Sequence, residues 1–139
     1  MPRVTLDDIS MAIYGRLEAN KQDLLPLKVT GKKEFKHNNQ MYAHVMLSPN
    51  ETYPDSIDGG DVLPGILEIN IYFLRGKGEM DVNAEAQRFL DLFPRDEQFD
   101  GVRITRTGSI LGTVEDRENK DWFYRPVLID YEADSCQAK

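Results

Sequence analysis

Between Leu74 and Asp81 the chain reads Leu-Arg-Gly-Lys-Gly-Glu-Met-Asp, a glycine-rich loop joining a strand pattern to a helix pattern. Backbone amides in such a loop, helped by a lysine, can cradle a phosphate. A phosphate-binding P-loop needs G-x-x-x-x-G-K-[ST]. Gly76-Lys77-Gly78 has neither that spacing nor a hydroxyl residue after the lysine. Glu79 and Asp81 would stand where the phosphate sits, and like charges repel. The loop reads as a joint between the strand and the helix.

Other reactive side chains form no constellation. His37 and His44 are seven residues apart without a third ligand at metal spacing, and Cys136 is the only cysteine. Thiolate zinc and an intrachain disulfide are therefore excluded. There is no G-x-S-x-G, and Ser109 lies in Thr107-Gly108-Ser109-Ile110, which is turn chemistry. Carboxylates are plentiful, but no spacing nominates a catalytic pair. Glu115 to Asp121 reads as a solvated hairpin loop, and Trp122-Phe123-Tyr124 as sheet packing. The expectation is no catalytic residue, no cofactor and no metal.

The elements that would position these groups follow from periodicity. Thr5, with Asp7 and Asp8 behind it, starts a helix whose apolar stripe is Leu6, Ile9, Ile13 and Leu17. Pro26 stops any continuation, and Val29-Thr30-Gly31-Lys32 reads as a turn that suits a short hairpin. From Met41 to Ser48, Met41, Ala43, Val45 and Leu47 alternate with Tyr42, His44 and Met46, which predicts a strand. Leu67, Ile69, Ile71 and Phe73 alternate with Glu68, Asn70 and Tyr72, a strand with one side on the core. Asp81 then caps a helix carrying Val82, Ala86, Phe89, Leu90 and Phe93 on one stripe, ended by Pro94. Gly101 to Thr107 and Trp122 to Glu132 predict two later strands, with Ile110 to Val114 a short extra one. In the Trp122 to Glu132 strand, Phe123, Val127, Ile129 and Tyr131 share a face, and Pro126 predicts a sheet edge or bulge. This order predicts a single α+β domain: a two-layer sandwich of a mostly antiparallel mixed sheet with helices on one face.

Composition narrows the function classes. The 139 residues hold 17 basic and 24 acidic side chains, a net charge of −7. That argues against a DNA-coating protein, whose affinity rests on neutralised phosphates. Apolar runs are too short to span a bilayer, and the start matches no signal peptide. Charge is clustered: Lys28, Lys32, Lys33 and Lys36 stand against Glu34 alone, whereas Pro49 to Pro64 carries Glu51, Asp55, Asp58 and Asp61 with no base. Complementary faces between subunits are one reading of this separation. Pro49 to Pro64 has no periodicity, and too few apolar residues to order alone, so it is expected to be mobile until a partner arrives. The tail from 134 to 139 is expected to fray.

One resemblance covers Leu6 to Ala133. The strand Pro64-Gly65-Ile66-Leu67-Glu68-Ile69-Asn70-Ile71-Tyr72, then Gly76-Lys77-Gly78 and the helix end Phe89-Leu90-Asp91-Leu92-Phe93-Pro94, resembles phage tail terminator proteins. Val102-Arg103-Ile104, the closing Trp122 to Tyr131 strand, Tyr42 to Pro49 and Ile13-Tyr14-Gly15-Arg16-Leu17 fit the same layout. The resemblance implies a structural virion protein without catalysis, made in the host bacterial cytoplasm and placed at the head-proximal end of the tail. It would form a homo-hexameric ring that stops polymerisation of the tail tube protein and receives the head-tail connector. Genomic DNA would pass through the lumen without specific binding, and no membrane is involved. Expected subunit or partner contacts are Lys32, Lys33, Lys36, Arg75, Lys77, Glu79, Asp55, Asp58 and Asp61, and expected lumen-facing acids are Glu68, Glu115 and Asp116. Two alternatives differ from this reading. A neighbouring connector or tail-completion protein would take another position in the tail. A small α+β ligand-binding module or enzyme would show a concave apolar pocket instead of a ring.

Overall fold

The computed structural model describes residues 4–29, 40–54, 60–76 and 79–134, with the backbone alone at 79 and 80. It contains helix α1 (Leu6–Ala19), a 3-10 turn at Lys21–Asp23, and strands β1 (Leu27–Val29), β2 (Tyr42–Pro49), β3 (Tyr53–Pro54) and β4 (Asp61–Leu74). Helix α2 (Glu79–Leu92) follows, then β5 (Gln98–Phe99), β6 (Val102–Ile104), β7 (Ser109–Ile110), β8 (Val114–Glu115) and β9 (Trp122–Asp134). All strands join one mixed sheet in the order β1-β2-β4-β9-β6-β5, with β3 beside β4 and β7 and β8 along β9. Among the described residues, β1 alone runs parallel to its neighbour; the other pairings are antiparallel. The chain is an α+β domain.

Local chemistry sets the helix ends. Thr5 Oγ1 accepts from the Asp8 amide, and the Asp8 carboxylate accepts from the Thr5 amide at 2.9 Å, a reciprocal capping box. Ile9, Ala12, Ile13 and Leu17 are buried along α1, whereas Leu6, expected in that stripe, is 51% exposed at the first helical position. In α2, Val82, Ala86 and Phe89 are fully buried, as is Phe93 just past its end, and Leu90 is partly so. The helix begins at Glu79, so Asp81 is not its cap but lies in the first turn, where a carboxylate still favours the dipole. Arg16 ties the two helices together. Its Nε donates to the Leu92 carbonyl at 2.8 Å, satisfying one of the free carbonyls at the end of α2, and its guanidinium lies over Phe99 at 4.7 Å.

The helices meet one face of the sheet. Ala43 and Val45 of β2, Leu67, Ile69, Ile71 and Phe73 of β4, and Val127, Ile129, Tyr131 and Ala133 of β9 form the core with them. Fully burying each large aliphatic side chain contributes about 1.5–3 kcal/mol.

Several expectations need correction. β1 pairs parallel to β2, Leu27 opposite Ala43 and Val29 opposite Val45, so no hairpin joins them; residues 30–32 lie outside the described residues. The span from Pro49 to Pro64 is not structureless: Pro49 ends β2, β3 pairs with β4, and β4 starts at Asp61. The strand expected over Gly101 to Thr107 is only Val102–Ile104, because Asp100 (φ 48°) and Gly101 (φ 86°) form the tight turn from β5. Asp134 ends β9 and is paired with Val62, so fraying does not begin there.

Pro126 marks neither an edge nor a bulge. β9 runs between β4 and β7, and its register against β4 is unbroken from Asp134 to Trp122. The Leu111 amide donates to the Pro126 carbonyl at 2.9 Å, so the N–H that proline lacks would face Leu111. The Leu111 carbonyl accepts instead from Arg125 Nε at 2.9 Å. A side chain replaces the missing rung.

Gly65 and Tyr131 lie opposite each other on the helix-facing side. A Cβ at Gly65 would meet Tyr131 Oη at 2.2 Å. That hydroxyl is buried and has no hydrogen-bond partner among the described residues. Gly65→Ala should therefore lose about 1–3 kcal/mol by overpacking. Tyr131→Phe removes an unpaired polar group, and stability should hold or rise by up to about 1 kcal/mol. Urea unfolding of the three proteins checks this. A clear loss in Tyr131→Phe would mean the hydroxyl has a partner after all.

Candidate functional site

The strand register builds a second surface on the side of the sheet away from the helices. Because opposed residues share a face, Tyr42 of β2, Tyr72 of β4 and Tyr124 of β9 line up in one row across three strands. Tyr42 and Tyr72 stack at 4.9 Å with 5° between their planes, and Tyr72 meets Tyr124 at 5.2 Å. Buried Trp122 meets Tyr42 edge-on at 5.6 Å. The next row sets Lys28, His44, Asn70 and Pro126 opposite one another, and the row after it Met46, Glu68 and Leu128. Among the described residues, neither helix contributes to this face.

Burial and charge decide what these groups can do. Tyr72 is pushed up to about 12, first by burial and then by Asp116, with smaller effects from Tyr42, Tyr124 and Glu68. Burial, then Asp116, also raises Tyr42. Both phenols stay protonated at neutral pH. His44 is held below its ordinary value by burial first and Lys28 second, with Glu68 opposing them. Asn70 is 6% exposed, and its Oδ1 has no partner among the described residues. Its Nδ2 reaches the Glu68 carboxylate only at 3.5 Å.

The residues expected at contacts are placed as follows. Arg75 is engaged within its own chain. Its amide donates to the Asp121 carbonyl at 2.8 Å, and its guanidinium donates to the Lys120 carbonyl at 3.2 Å. The same guanidinium lies 3.8 Å from Glu115 and 4.8 Å from the Phe123 ring centre. It fastens the end of β4 to the β8–β9 hairpin. Glu79 opens α2. Asp61 opens β4, about 40 Å along the extended strand from Leu74. Glu68 and Asp116 both border the tyrosine row, whereas Glu115 turns to Arg75. Lys32, Lys33, Lys36, Lys77, Asp55 and Asp58 lie outside the described residues, as does His37. Among the described residues no cluster of His, Cys, Asp and Glu is placed to hold a metal, and no helix is long and apolar enough to cross a membrane.

The tyrosine row is what sequence reasoning missed. Alternation assigned Tyr42 and Tyr72 to the polar side of their strands, but only the pairing register shows that they meet each other and Tyr124.

No protein-family model matches the chain, and no curated protein matches it. Ten solved chains match. One is a protein whose name states no activity. It is 18% identical over 94% of this chain and 96% of that chain, with a TM-score of 0.68. This likeness shows the fold.

The His44 site has a pH signature. Its folded value lies below the ordinary 6.5, so the unfolded chain binds the proton more readily. The stability His44 contributes is therefore present above about pH 6.5 and is lost as pH falls through its folded value. His44→Gln should flatten the stability decline between pH 7 and pH 5 relative to wild type. Urea unfolding midpoints at both pH values measure this, and parallel declines would show that His44 titrates as it does in the unfolded chain.

Proposed function

We propose that this protein is a ring-forming tail terminator, a structural virion protein that caps the head-proximal end of a phage tail tube and receives the head connector. The observation that carries the reading is the sheet face opposite the helices, where three tyrosines, buried Trp122, Met46, Ile66 and Leu128 share one side of the sheet. Tyrosine, tryptophan and methionine are the residues enriched where protein interfaces are driest. A broad sheet face suits a second copy of the chain better than a small molecule, which binds in concave sites. The clustered lysines of the Lys28–Lys36 stretch and the acids elsewhere supply complementary charge for a contact between different patches, which is how rings close. Glu68 and Asp116, which border the tyrosine row, are the acids on this face that would border the lumen, where acids keep passing DNA from sticking; Glu115, paired with Arg75, is not one of them. The resemblance of Leu6 to Ala133 to tail terminators fits the α+β fold with helices on one face.

Native mass measurement at high concentration, with microscopy of assembled tails, tests the ring. The expected result is a closed oligomer at the head-proximal tail end. A monomer in both settings overturns the reading, and a ring located elsewhere in the tail identifies a connector or completion protein instead.

Paired substitutions test the face itself. Tyr72→Ala with Tyr124→Ala should abolish the ring while the circular dichroism of the monomer is kept. Lys32→Glu, Lys33→Glu and Lys36→Glu together should weaken assembly, most strongly at low salt, where screening is least. Unchanged rings from both sets would exclude this face and this charge pairing as the contact.

A further inference from the structure

We draw no further inference here: the strongest candidate outside the site described above, the groove between the second half of α1 and β1 lined by Tyr14, Gly15, Leu17, Glu18, Leu27 and Val29, is an unpartnered surface, and nothing in the structure shows what covers it.

Discussion

The antiparallel pairing of β4 with β9 is the constraint on which the rest of the molecule depends. Thirteen consecutive residue pairs, from Val62 opposite Asp134 to Leu74 opposite Trp122, hold the two strands in one register. Side chains alternate with a period of two, so a slip by one residue would send Ile69 and Ile71 to the open face and Tyr72 into the core. Both faces are therefore set by this one alignment. Gly65 and Tyr131 help fix it, because the Tyr131 hydroxyl sits where any side chain at position 65 would have to go. No adjacent pair on the core side offers the same fit, since Leu63 and Leu67 both carry bulk.

β9 carries a second burden on its other edge, where it must pair with three short strands, β6, β7 and β8. A single long partner would need an N–H from Pro126 to complete the ladder. Short partners with loops between them relax that demand, and Arg125 meets what is left by donating to Leu111. The same guanidinium also bonds the Asn83 side chain on α2. One residue thus repairs the sheet and ties it to the helix layer. Replacing it by a shorter base would leave a sheet carbonyl without its donor.

What was legible in the sequence was local. The capping box at Thr5 and Asp8, the stripe Ile9–Ile13–Leu17, and the alternation through Ile69 and Ile71 each depend on near neighbours in the chain, and each appears where the pattern put it. Leu6 broke its pattern because, at this end of α1, Val4 just before the helix and Ile9 inside it fill the core and leave Leu6 exposed. β1 was missed because three residues cannot show a period, and its parallel partner lies beyond a span that periodicity cannot cross. Pro126 misled for a related reason: the missing donor was real, but the group that replaces it is a side chain, invisible to a rule about backbone. Of the expected contact residues, Arg75 is exposed, as its sequence context suggested, and it also pins β4 to the β8–β9 hairpin, which no local pattern could show.

The candidate site was the least legible part, since a row of tyrosines exists only once three strands are in register. Its chemistry follows from that geometry. Tyr42 and Tyr72 stack, and Tyr72 meets Tyr124, so each ring covers part of its neighbour. A phenol at about 12 keeps its proton, which makes Tyr72 a hydrogen-bond donor and a poor base. Stiff rings with few rotors also lose little entropy when another surface covers them. Under the proposed reading, this half-buried, donor-bearing surface bordered by Glu68 and Asp116 is the one a second copy of the chain would cover. Its acids would choose that partner by charge, and its tyrosines would supply most of the buried area.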